Sequence, residues 1–142
     1  MGIIIPAHEF LKNYDTKFGI FKPIIYCNRD ICNVDKAVSI NKYLAKKLIE
    51  SRPSRRAMKM ETFLNQVLEK LPNDVLIRDF DVMFNPQYKI DVLSVMVNAC
   101  KRKPFSVCWP GKYDNGKLFY AEDGYSDFKV YNVSDYDITC IV

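Results

Sequence analysis

The sequence predicts an α/β fold with a mainly parallel sheet covered by helices, and three observations carry that prediction. Strand-length apolar runs alternate with helix-period stretches along most of the chain. The run Asp74-Val-Leu-Ile-Arg-Asp-Phe-Asp-Val-Met-Phe84 follows a helical stretch and ends in carboxylates, as expected of a buried strand that delivers charge at the sheet's C-terminal edge. Nearer the C-terminus, Asp114-Asn-Gly116 between two β-prone segments adds a hairpin.

Each element has its own signal. Residues 7–18 place Phe10, Leu11, Tyr14 and Phe18 at helical spacing, and Gly19 follows as a stop. Lys22-Pro-Ile-Ile-Tyr-Cys-Asn28 is a β-branched run opened by proline and reads as the first central strand. Ala37-Val-Ser-Ile40 reads as the next strand. Asn41 is placed to cap a helix with Tyr43, Leu44, Leu48 and Ile49 as its buried stripe and Lys42, Lys46 and Lys47 on its wet face. A basic loop carries Arg52, Arg55, Arg56 and Lys59. Glu61 to Leu71 forms a helix with Phe63, Leu64, Val67, Leu68 and Leu71 inward, ended by Pro72-Asn73. After the 74–84 strand, Asn85-Pro86 turns the chain into a largely apolar helix from Ile90 to Lys103, whose Lys101-Arg-Lys103 end complements the helix dipole. Pro104-Phe-Ser-Val-Cys-Trp109 is a further buried strand, and the 109–121 hairpin follows. Residues 120–131 read as a tyrosine-rich loop with one turn of helix, and 136–142 as the last strand.

The chain has 142 residues, 49% of them hydrophobic, enough for one core and a single domain over 1–142. No 18-residue apolar run is present, and Met-Gly-Ile-Ile-Ile-Pro lacks the basic leader and length of a signal peptide, so a cytoplasmic protein is expected. The five cysteines form no CxxC pair, and their odd number argues against a zinc site and against a disulfide framework. His8 is the only histidine, which removes His-based triads and multi-His metal sites. Charge is divided: residues 1–108 carry 18 Lys and Arg against 11 Asp and Glu, whereas 109–142 carry 3 against 6.

The candidate chemistry lies in four places. A phosphate-binding loop after the first central strand needs glycines, so that backbone N–H groups can close around phosphate. Residues 28–37 contain none; Lys36 stands where a phosphate lysine would, with Asp30 and Asp35 repelling. At the end of the 74–84 run, Asp79 or Asp81 is the candidate for a nucleotide-bound Mg²⁺, with Asp79 the metal candidate and Arg78 opposing it. The basic loop Arg52, Arg55, Arg56 and Lys59 is a patch for phosphates or an acidic partner. Trp109, Tyr113, Tyr120, Tyr125 and Tyr131 form a candidate protein-docking surface, or else cover a sheet edge.

The series Leu-Ile-Arg-Asp-Phe-Asp-Val-Met-Phe-Asn-Pro (76–86), then Trp109-Pro-Gly with Tyr113-Asp114 and Gly116, then Leu118-Phe-Tyr-Ala-Glu-Asp-Gly124 and Asp127-Phe-Lys-Val-Tyr131, resembles BrxF. That family comprises the small P-loop-containing proteins of type 3 BREX bacteriophage-exclusion systems. The similarity runs from about Ala37 to the C-terminus. It implies a P-loop NTPase-like three-layer sandwich working with other subunits of a phage-defence complex, but the phosphate-loop positions do not match. Three readings follow. In the first, the chain is a non-catalytic or weakly nucleotide-binding adaptor subunit with no cofactor. In the second it is a Mg-ATP-dependent switch completed by a partner, and in the third an accessory protein that contacts DNA through the basic loop.

Overall fold

A computed structural model describes residues 2–12, 22–28, 30–32 and 34–142. Nine strands and four helices are assigned among them. In chain order these are β1 (Ile3–Ile5), α1 (Ala7–Lys12), β2 (Ile24–Tyr26), β3 (Val38–Ser39), α2 (Asn41–Ile49), α3 (Met60–Glu69) and β4 (Val75–Arg78). They are followed by α4 (Val92–Arg102), β5 (Phe105–Cys108), β6 (Lys112–Asp114), β7 (Lys117–Tyr120), β8 (Lys129–Asn132) and β9 (Thr139–Ile141).

Six strands form one sheet in the order β1-β9-β2-β5-β4-β3, and every pairing in it is parallel. The fold is therefore α/β, with a parallel sheet flanked by helices. Parallel strands need both faces covered, and the burial of β4 and β5 shows how unequally this is done. Val75, Ile77, Phe105 and Val107 share one face and are buried, whereas Leu76, Arg78, Ser106 and Cys108 share the other and are half-buried. Helices α2, α3 and α4 pack in sequence, α2 on α3 and α3 on α4. Leu44, Leu48, Leu64, Leu68, Leu93 and Met96 from these helices join the buried strand residues in one core.

The helices form where the apolar period predicts, with corrections at their edges. In α2 only Leu44 and Leu48 are buried; Tyr43 and Ile49 are 53% and 73% exposed, so the stripe is narrower than expected. Asn41 is inside the helix rather than capping it, and its side chain oxygen accepts the backbone N–H of Val82 at 3.0 Å. Helix α4 has a side-chain cap, with Asp91 accepting from the Ser94 N–H at 3.2 Å. It also keeps a wet side, because Ser94, Asn98, Lys101 and Arg102 are exposed. Lys103 does more than answer the α4 dipole: its ammonium donates to the carbonyl oxygens of Leu68 (2.8 Å) and Leu71 (2.5 Å), closing the frayed end of α3.

Two expectations change, and one strand is added. The 74–84 run is not one strand. It leaves the sheet after Arg78, because Asp79 adopts a left-handed backbone (φ 53°), and Asp81–Phe84 continue as a 3-10 turn. The end of the tyrosine-rich segment is strand β8, which pairs with β7 and extends the β6–β7 hairpin to a three-stranded antiparallel sheet. Ile3–Ile5 is an edge strand on β9. The hairpin turn itself holds: Asn115 and Gly116 both take positive φ, 47° and 79°, as a two-residue primed turn requires. Of the opening helix, residues 7–12 are helical, while Tyr14, Phe18 and Gly19 lie outside the described residues.

Candidate functional site

In an open parallel sheet, ligands sit outside the carboxyl ends of strands whose connections run in opposite directions. Here those strands are β2, whose chain runs to β3 at the far edge, and the adjacent β5, whose chain returns across β2 to reach β9. The crevice at their ends is lined by Tyr26, Cys32, Val34, Arg78, Asp79, Cys108, Trp109 and Pro110 and measures about 220 Å³. That is below the roughly 300–1,000 Å³ of small-molecule sites.

The chain's own groups occupy this mouth. The Arg78 guanidinium donates to the Ala37 carbonyl oxygen at 3.3 Å and lies 2.5 Å from an Asp79 carboxylate oxygen. Asp79, the metal candidate, thus faces a fixed cation, and an incoming divalent ion would stand beside that charge. The residues do not fit a metal bound in this way. Asp81 points elsewhere: its carboxylate accepts from the Tyr120 hydroxyl at 2.9 Å and from the Asn41 amide at 3.5 Å. Lys36 is exposed on the 3-10 turn Val34–Lys36 and does not line the crevice. The structure therefore brings only Asp79 of the predicted nucleotide trio to the strand ends. Among the described residues no three His, Cys, Asp or Glu side chains converge as a metal group.

A disulfide closes the crevice. Cys32, in the 28–36 connection, is bonded to Cys108 at the end of β5, across 76 positions of sequence. This corrects the expectation drawn from cysteine count, since spacing along the chain cannot show that the β2 connection folds back over β5. Of the other cysteines, Cys100 and Cys140 are buried free thiols. Burial pushes the Cys100 thiol up, and a hydrogen bond with Cys27, together with burial, raises that of Cys140.

The aromatic segment is mostly interior. Trp109 and Tyr131 are buried (4% and 6% exposed), so neither presents itself to a partner. Trp109 meets Phe84 and Tyr131 edge-on, with centroids 5.8 and 6.1 Å apart, and its indole N–H donates to the Phe119 carbonyl oxygen at 3.0 Å. Tyr120 stacks on Phe84 at 3.7 Å. Tyr113 is half-buried, and its hydroxyl accepts the Gly116 N–H at 3.1 Å. Of the five proposed docking residues, only Tyr125 is exposed, at 65%.

Three phenols in this region gain a proton-holding environment. Burial, with the Asp81 hydrogen bond second, raises Tyr120; burial, with the Asp91 hydrogen bond at 2.6 Å second, raises Tyr136. Tyr131 is pushed up to about 12, chiefly by burial and then by the charge of Asp91. A folded-state value above the unfolded value of about 10 means that the contribution to stability is complete below pH 10. It is lost as the pH rises through the folded values. The thermal midpoint is therefore expected to be flat in these groups up to about pH 10 and to fall above it. Absorbance at the phenolate band, followed alongside the melts, should show unfolding and tyrosine ionisation together. Early, independent ionisation of all tyrosines in the folded chain would contradict this.

The basic loop lies on the surface, with Arg52, Arg55 and Lys59 exposed and the Arg56 guanidinium on the Ser51 carbonyl oxygen at 3.3 Å. Beside it, α2 and α3 enclose a second cavity of about 390 Å³, lined by Tyr43, Lys46, Lys47, Glu50, Val67, Lys70 and Leu71. Comparison with protein-family models, curated proteins and solved structures finds no match to the chain.

Proposed function

We propose that the chain is a non-catalytic adaptor subunit on a P-loop NTPase-like three-layer framework, serving a bacterial anti-phage complex of the BREX kind in the cytoplasm. The observation that carries the non-catalytic part is the Arg78–Asp79 pair in the mouth of the crevice: the position a nucleotide's phosphates and metal would use is filled by a neutralised internal ion pair. The glycine-free connection from β2 supports the same reading, because a backbone cradle for phosphate calls for glycine there, and the disulfide ties Cys32 of that connection to β5. The anti-phage part rests on the resemblance of residues 76–131 to BrxF.

A thermal melt with and without Mg-ATP, ADP and GTP tests the chemistry. A ligand at 100 times its dissociation constant adds about 2.7 kcal/mol, which moves the midpoint of a domain of this size by several degrees. The expected result is no shift with any nucleotide. A shift abolished in Lys36→Ala would establish the alternative, a nucleotide switch. The biological part is tested by deleting the chain from a defence locus that encodes it and measuring phage plating; unchanged protection would remove it.

A further inference from the structure

The two ends of the charge distribution are built to meet. Residues 41–71 carry 8 Lys and Arg against 3 Glu, a net +5 that exceeds the +4 of the whole chain. Among the described residues, none of these cations is ion-paired with a carboxylate: the ion pairs are Lys22–Asp137 and Arg78–Asp79. On this surface the α2–α3 groove has the size of a side-chain-binding site. Lys46, Lys47 and Lys70 line it together with one carboxylate, Glu50, beside the buried Val67, the half-buried Leu71 and the exposed Tyr43 ring, so three cations face one anion there. Lys47 donates only to the Gln66 amide oxygen, at 3.0 Å.

The complementary element is the β7–β8 loop, whose tip Glu122-Asp123-Gly124-Tyr125 is exposed throughout. It offers two adjacent carboxylates and a ring that is 65% exposed. The loop is already shaped, with the Tyr125 N–H bonded to the Glu122 carbonyl oxygen at 3.2 Å and the Phe128 N–H to that of Tyr125 at 3.1 Å. Phe128 rests 6.4 Å from Phe119 of β7. A pre-shaped loop loses little freedom on docking. Carboxylates meeting ammonium groups, and an aromatic ring entering a lysine-rimmed apolar groove, are each favourable pairings.

We propose that the β7–β8 loop of one copy docks in the α2–α3 groove of a second copy, the carboxylates of Glu122 and Asp123 on Lys46, Lys47 and Lys70, and Tyr125 against Tyr43 and Leu71. The loop and the groove are different surfaces, so the contact is heterologous and extends head to tail unless its rotation closes a ring. The inference rests on surface charge and shape and does not depend on the nucleotide reading, so either can fail alone.

Sedimentation velocity of the full chain over a range of concentrations, at low and at raised salt, is the test. The expected result is an average mass that rises with concentration and falls back with salt, as contacts between exposed charges do. The variants E122K/D123K and K46E/K47E, each checked for folding by circular dichroism, are expected to stay monomeric. The fourfold variant carrying both reversals is expected to associate again. A wild-type chain that is monomeric throughout, or a fourfold variant that fails to recover, overturns the proposal. So does a monomer that binds a short labelled DNA duplex through the same lysines, which would assign the groove to nucleic acid.

Discussion

Reduction of the Cys32–Cys108 disulfide is expected to lower the thermal midpoint by about 10 °C or more. The bond ties positions 76 apart, and closing a loop of that length removes enough unfolded-state entropy to stabilise the fold by about 4.5 kcal/mol in the chain-entropy model. Because it joins the β2 connection to the end of β5, its loss also frees the segment that borders the crevice. Melts in the presence and absence of a thiol reductant measure the effect. Cys32→Ser should melt like the reduced wild type and show no further response to reductant. Equal midpoints for oxidised and reduced wild type would mean that the bridge carries no stability. In a reducing cytoplasm such a bond is transient, so the melts with nucleotide belong in both redox states; a shift confined to the reduced protein would show that the crevice is closed by the bond and not by Arg78.

Replacing Trp109 by Ala is expected to cost about 3–5 kcal/mol. Its ring fills the junction between the large sheet and the small one, against Phe80, Phe84 and Tyr131, and its N–H holds the Phe119 carbonyl oxygen. The neighbouring glycine belongs to the same lock. A Cβ on Gly111 would stand 1.7 Å from that same carbonyl oxygen, so the strand can approach Trp109 only if residue 111 has no side chain. Gly111→Ala should therefore unseat β6–β8 even though Trp109 is retained. Urea titration followed by far-ultraviolet circular dichroism reads both variants. A Gly111→Ala chain as stable as the wild type would refute the lock. The Trp-Pro-Gly sequence thus has a structural account that does not depend on any family.

Much of this fold was legible from local pattern. The periods of α3 and α4, the β-branched run at β2 and the Asn-Gly turn are signals set by immediate neighbours, and each gave the right element. What failed depended on distant partners. Tyr43 and Ile49 have the spacing of a buried stripe, but α2 packs chiefly on α3 and the 3-10 turn at 81–84 through its Leu44 and Leu48 side, and both stay exposed. Val130 and Tyr131 read as loop because their pairing with β7 is invisible until the hairpin has formed. The disulfide could not be read at all. The candidate site was legible as a place but not as chemistry. The 74–84 run does reach the sheet's C-terminal edge, yet whether Asp79 is available there depends on a side chain one residue away, and Arg78 takes it.

Strand β9 lies between β1 and β2, pairing with Ile3–Ile5 on one side and Ile24–Tyr26 on the other. During synthesis the two flanking strands leave the ribosome more than a hundred residues before the strand that joins them. Until Thr139–Ile141 emerge, β2 carries an open edge and β1 has no partner in the sheet, so both pairings on this side wait for β9 and form together. Contacts so far apart in sequence slow folding and lengthen the time for which unpaired edges are exposed. A nascent chain stalled before residue 139 would keep its helical half but lack the seam that makes the sheet continuous.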